Sequence, residues 1–125
     1  LASSSFAKTS RDVESRRVQK VKDYIDQHYA RQIRLEDLAD LVGMSPVSFS
    51  RFFRQRTGRT LSEYIIDIRL GYAARMLAET SINISEISYE CGFNNLSNFN
   101  RTFKAKRNYT PRDFRAMFKK NKAIV

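Results

Sequence analysis

The sequence predicts an all-α fold in which one helix-turn-helix unit occurs twice. Three observations carry this. Apolar residues recur at three- and four-residue spacing, the period of a helix with one buried face. Helix-start and helix-stop residues punctuate that pattern: Ser-Pro, Thr-Pro, Asn and Thr-x-x-Glu at the starts, glycine at the stops. The punctuation then repeats at a spacing of 49 to 50 residues.

Taken in order, residues 1–16 are small, polar and aperiodic, and read as a linker or disordered end. From about Arg17 the pattern turns helical, with Val18, Val21, Ile25 and Tyr29 on one face and Tyr24 beside them. A short helix follows with Leu35, Leu38, Ala39 and Val42 inward, and Gly43 stops it. Ser45 offers an N-cap and Pro46 a first-turn proline for the next helix. That helix runs to about Thr57, turns Phe49, Phe52 and Phe53 inward, and ends at Gly58. Helix, tight glycine turn, helix is the helix-turn-helix grammar, and it places a first subdomain at residues 17–59.

Thr60 and Glu63 form a capping box that opens the longest helix, a linker over residues 60–80. Leu61, Tyr64, Ile65, Ile68, Tyr72 and Leu77 make its expected inner face. Gly71 is a weak spot there, costing about 1 kcal/mol relative to alanine. It marks either a close helix–helix approach or a tolerated defect. The grammar returns in a second subdomain at residues 81–119. Asn83 caps a helix with Glu86 as its capping-box partner, Ile84, Ile87 and Cys91 inward, and Gly92 as the stop. Asn94 or Asn95 caps the next, which runs to about Arg107 over Phe99 and Phe103. Asn108 stands where the first copy has Gly58; asparagine is the other residue that tolerates the left-handed conformation. Thr110 and Pro111 start a last helix through Phe114 and Phe118, and residues 120–125 read as a basic tail.

The repeat is specific. Leu35, Leu38 and Gly43 match Ile84, Ile87 and Gly92 at a spacing of 49. Phe49, Arg51, Phe53, Gly58, Thr60 and Tyr64 match Phe99, Arg101, Phe103, Asn108, Thr110 and Phe114 at a spacing of 50. Two copies argue against a long solenoid, which needs at least three.

Composition narrows the function. The formal net charge is +10 and the pI about 10.1, which points to a polyanion: nucleic acid first, an acidic membrane surface second. One cysteine and one histidine leave no intrachain disulfide and too few ligands for a Cys/His metal site, so no metal or cofactor is expected and the compartment reads as reducing and cytoplasmic. No apolar run approaches the ~18–20 residues of a membrane span. There is no phosphate loop and no paired acid and base at a glycine-rich or strand-end site, which argues against an enzyme. The chain begins with Leu1 rather than Met and reads as a fragment of something longer.

In a helix-turn-helix the second helix enters the major groove and its first turns meet base edges. With the phenylalanines inward, the first copy turns Pro46, Val47, Ser50, Arg51 and Arg54 outward. The second turns out Leu96, Ser97, Asn100, Arg101 and Lys104, with Asn98 on the flank. Arginine pairs two-pronged with guanine, asparagine with adenine, and an aliphatic side chain packs on a thymine methyl. The base-reading set is therefore Val47, Ser50, Arg51, Leu96, Ser97, Asn98, Asn100 and Arg101; Pro46, Arg54 and Lys104 are expected at phosphates. A 20-residue helix spans ~30 Å, close to the ~34 Å between major-groove faces on one side of a duplex. Charge agrees: Met44 to Thr60 holds four arginines and no acid, while the supporting helices carry Glu36, Asp37, Asp40, Glu86 and Glu90. A non-specific architectural nucleic-acid binder is the alternative, but such a protein needs only Lys and Arg on those faces.

At "GFNNLSNFNRTFKAKRNYTPRDFR" the sequence resembles the DNA-binding region of the AraC/XylS family of bacterial transcriptional regulators. Gly92, Phe93, Phe99, Arg101, Phe103, Lys104, Thr110, Pro111, Phe114 and Arg115 carry the likeness. It covers roughly Val18 to Phe118. Asn108 in place of glycine and Arg34 in place of a better N-cap are departures from the family pattern. The resemblance implies seven helices: two helix-turn-helix subdomains joined by a long linker helix, reading adjacent major-groove segments of double-stranded promoter DNA. It places base contacts on Val47, Ser50 and Arg51, and on Leu96, Ser97, Asn100 and Arg101. It further implies contact with RNA polymerase in activators, and an effector or dimerisation domain before residue 1.

Overall fold

A computed structural model describes the backbone of residues 2–124 and the side chains of residues 9–119. It contains α1 (Ala2–His28), α2 (Leu35–Leu41), α3 (Pro46–Thr57), α4 (Leu61–Glu79), α5 (Ile84–Glu90), α6 (Leu96–Arg107) and α7 (Pro111–Ile124). Among the described residues there is no strand. The chain divides into two units. The first is Leu1–His28 with Ile33–Ile65; the second is Tyr29–Gln32 with Ile66–Val125.

The backbone is helical from Ala2, where the sequence reading has a linker or disordered end over residues 1–16. No glycine or proline stands between Ala2 and His28. Once the turns around Val21 and Ile25 are buried, adding residues to the existing helix is cheap compared with nucleating a new one. Glu14 also forms an ion pair at 2.8 Å with Arg56 of α3. The expected tail is likewise helical in its backbone as far as Ile124, the end of α7; what the reading says of the side chains of residues 1–8 and 120–125 lies outside the described residues.

In the first unit Val21, Ile25, Leu38, Phe49 and Phe53 are fully buried, and Phe53 meets Tyr64 edge-on at 5.4 Å. Phe52, expected inward, is only half-buried. In the second unit the core is Leu70, Ala73 and Leu77 of α4, Ile87 and Cys91, and Phe93, Phe99 and Phe103. α7 closes it with Phe114, 5.3 Å from the Phe103 ring, and with a buried arginine. Arg115 Nε donates to the Leu77 carbonyl at 3.0 Å, satisfying one of the orphan acceptors in the last turn of α4.

The inner face expected for α4 is partly corrected. Leu61, Tyr64, Ile68 and Tyr72 are half-buried, while Leu70, Ala73 and Ala74 are buried. The helix gives Ile65 to the first unit and its later residues to the second, so no single stripe describes it. Gly71 is exposed, and a Cβ there would make only an ordinary 3.9 Å contact with Arg107. Of its two readings, the tolerated defect is the one observed.

Candidate nucleic-acid interface

Caps fix where each reading helix begins. Ser45 Oγ accepts the Ser48 backbone N–H at 3.2 Å and Pro46 takes the first position of α3. Asn95 Oδ1 accepts the Asn98 N–H at 2.7 Å, so Asn95, not Asn94, caps α6. Both helices end on a left-handed residue, Gly58 at φ 75° and Asn108 at φ 68°. The capping box before α4 is complete: Glu63 N–H donates to Thr60 Oγ1 at 3.1 Å, and Thr60 N–H to Glu63 Oε2 at 3.3 Å. Arg34 makes no side-chain cap at α2.

Burial of Phe49 and Phe53 sets the face that α3 leaves outside. Pro46, Val47, Ser50, Arg51 and Arg54 are all exposed, and with Leu35 they line one open groove of about 420 Å³. Val47 is 73% exposed, an aliphatic side chain held in water with no partner in the first core. No carboxylate lines the groove.

α6 differs in detail. Ser97, Arg101 and Lys104 are exposed; Asn98 and Asn100 are half-buried. Leu96 is also half-buried and packs against the second core. Asn98 Oδ1 accepts from the Arg101 guanidinium at 3.2 Å and from Thr102 Oγ1 at 3.4 Å. The flank position expected to read a base thus spends its carbonyl holding the neighbouring arginine.

Sequence reasoning missed the contact between α4 and the segment after α1. Tyr29–Gln32, a strap between α1 and α2, belongs to the second unit. Tyr29 stacks on Tyr72, rings 4.2 Å apart and 3° from parallel. Arg69 Nε donates to the Tyr29 carbonyl at 2.7 Å and its terminal nitrogen to the Arg31 carbonyl at 3.0 Å. Burial pushes the Arg69 pKa down from its ordinary value. The available signal was Arg69 itself, a charge set inside the apolar run of α4. Gly92, at φ 95°, lies against this contact: a Cβ would come within 2.9 Å of Arg69 Nε and 3.0 Å of the Tyr29 carbonyl. Beneath it, burial pushes the Cys91 thiol up to about 11, and the residue packs as a small hydrophobe.

Two capped helices, each twelve residues long, with arginine at the same register on acid-free faces, define a DNA-binding helix-turn-helix protein. The helix-turn-helix domain family matches residues 38–117, and the chain belongs to it as a DNA-binding domain of the AraC/XylS type. It is similar to an AraC-type regulator from Chromobacterium violaceum, at 29% identity and a TM-score of 0.79 over 83% of this chain and 93% of that one. It is similar at 26% identity and a TM-score of 0.78 to the DNA-binding domain of AdpA, solved in complex with a target DNA, over 83% and 94%. An HTH-type transcriptional regulator in the cgkA 5′ region of Pseudoalteromonas carrageenovora is 35% identical over 101 residues, 81% of this chain and 60% of the relative. The transcriptional activator RhaS of Escherichia coli is 29% identical over 92 residues, 74% and 33%. The chain thus spans only part of the length of these curated relatives. The family and fold are those of transcription regulators, not of enzymes. Among the described residues no helix is long and apolar enough to cross a membrane.

Proposed function

We propose that the chain reads promoter DNA with α3 and α6 in two adjacent major-groove segments. It serves as the DNA-binding part of a longer cytoplasmic transcription regulator. Arg51 and Arg101 pair with guanine; Val47 packs on a thymine methyl; Ser50, Ser97 and Asn100 bond base edges. Leu96, at the first position of α6, offers the aliphatic contact of the second block. Pro46, Arg54 and Lys104 sit at phosphates, where they set register rather than sequence preference. Asn98 acts on DNA through Arg101. RNA polymerase and an effector or dimerisation domain complete the reading at the level of the longer regulator.

The observation that carries it is the groove on α3, where Pro46, Val47, Ser50, Arg51 and Arg54 come together without an acid. Apolar and hydroxyl groups interleaved with arginine suit base edges; an architectural binder would need only cations there. The test is selection from a random duplex pool at ~150 mM salt, where non-specific binding is weak. The expected result is a consensus with two informative blocks about one helical turn apart. Arg51→Ala should relax one block and Arg101→Ala the other. Binding without enrichment would favour the architectural alternative.

A further inference from the structure

A cavity in the second unit lies away from the outward face of α6. It is an open space of about 610 Å³ between the Tyr29–Gln32 strap, the α5–α6 turn and the flank of α6. Its walls are rich in donors. Arg31 and Gln32 come from the strap, Arg69 from α4, Asn94 from the turn, and Asn98 and Thr102 from α6. No Asp or Glu lines it.

Asn98, Arg69 and Asn94 keep N–H groups that they do not give to the other walls. Asn98 uses its carbonyl oxygen for Arg101 and Thr102, and its amide N–H groups meet no acceptor among the described residues. Arg69 gives two N–H groups to strap carbonyls and, with the guanidinium fork, has others to give. Asn94 is exposed and released from capping, because Asn95 does that work. A carboxylate-free recess lined by the Arg69 guanidinium and by the amides of Gln32, Asn94 and Asn98 suits a phosphate oxyanion.

We infer that this cavity seats a backbone phosphate of the DNA strand running beside α6, with Gln32 and Asn94 among its direct donors. The inference rests on the promoter-reading proposal and deepens it. It adds the strap, a segment outside both helix-turn-helix motifs, to the DNA interface. The site lies on the same side of α6 as Asn98, so the tether that holds Arg101 and the phosphate seat share one side chain. A phosphate bound there would fix α6 in the register at which Arg101 meets its base.

The experiment uses the whole chain and a duplex carrying its selected site. Neutral methylphosphonate linkages are placed one at a time along both strands, and affinity is measured for the native protein and for Gln32→Glu and Asn94→Asp. Both positions are exposed and make no hydrogen bond within the described residues, so the substitutions add charge without removing a structural contact. One linkage flanking the α6 block is expected to weaken the native protein roughly tenfold, the scale of one hydrogen bond to a charged group. The two variants should bind the ordinary duplex less tightly by a similar factor, and the neutral linkage should cost them little more. If neither variant weakens binding and no linkage couples to them, while Arg101→Ala still loses affinity, the cavity is idle and only this inference is overturned. If Arg101→Ala also binds unchanged, the promoter-reading proposal has failed and the inference falls with it. Titration of the free protein with inorganic phosphate, followed by the Gln32 and Asn94 side-chain amide signals, separates the two sources of the anion. Saturation by inorganic phosphate without any DNA coupling would mean a free-anion site and overturn the DNA assignment.

Discussion

The two reading helices have equal length and register, yet they hold their side chains differently. On α3, Val47 stands 73% exposed and no hydrogen bond within the described residues tethers Arg51. On α6, Leu96 packs into the core beneath and Asn98 holds Arg101. The repeat preserves caps, glycine turns and phenylalanine cores. It does not preserve how far the reading face is organised before DNA arrives. A tethered side chain loses less freedom on binding, and each immobilised side chain costs about 0.5–1.5 kcal/mol. On the proposed reading, Arg101 would be the less costly of the two arginines to order on DNA.

The largest effect that could sharpen this contrast is at the paired glycines. Gly43 and Gly92 both have positive φ, so alanine at either is strained by about 1–2 kcal/mol. A Cβ at Gly43 meets nothing within 4 Å, whereas at Gly92 it meets Arg69 and two strap carbonyls at 2.9–3.1 Å. Overpacking adds about 1–3 kcal/mol to the second case. Urea unfolding should give a clearly lower midpoint for Gly92→Ala than for Gly43→Ala; equal midpoints would mean the strap yields.

Next come the reading arginines. Arg51→Ala and Arg101→Ala should each cost about 1–3 kcal/mol at the selected site, measured by titration against matched and single-mismatch duplexes. Asn98→Ala should relax the same base pair as Arg101→Ala by a smaller amount. Ser48→Ala, at the equivalent place in α3, should leave its block unchanged. If both substitutions behave alike, the tether is idle.

A smaller difference depends on pH. Cys91 occupies the place of Val42 in the first copy. Its thiol is raised from 9.0 to about 11 by burial, then by Glu90. A raised folded value means the unfolded chain loses this proton first. Stability is then intact below the ordinary thiol range and falls as pH climbs from about 9 towards 11. Cys91→Val should flatten that part of the stability profile between pH 8 and ~10.5 relative to the native chain. Identical profiles would contradict the burial argument.

The smallest expected effect is at the Glu14–Arg56 ion pair, whose side chains are 38% and 35% exposed. Glu14→Ala should cost about 0–0.5 kcal/mol in thermal or urea unfolding. A loss above ~1 kcal/mol would make the early turns of α1 a working part of the first unit.

Local chemistry made much of this legible in sequence. Ser45, Thr60, Asn83 and Thr110 announce helix starts because a side-chain oxygen satisfies a nearby backbone N–H within the same turn. The phenylalanine stripes announce the buried face, and so by exclusion the exposed one. What escaped depends on residues far apart in the chain. Arg69 finds its acceptors 40 and 38 positions away. Leu96 opens α6 where Pro46 opens α3, and Val47 aligns with Ser97, so which aliphatic side chain packs on a core and which stays in water depends on that one-residue offset as well as on the core beneath. The start of α1 escaped for another reason: a stretch without punctuation leaves the boundary to propagation, which carries no sequence mark.

The strap bears on how such a module can be inherited or exchanged. The sequence carries the trace of a duplication, and duplicated cassettes invite the idea that either half can be cut out and moved. The second unit is not one contiguous stretch: Tyr29–Gln32 lies ahead of α2, inside the span of the first. A crossover between Ile65 and Ile66 would deliver Arg69 to a host whose own strap has to bring two backbone carbonyls to the same place. If that strap ran differently, a half-buried guanidinium would lose two of its acceptors. Recombination at that point therefore parts the two segments that make up the second unit of this chain.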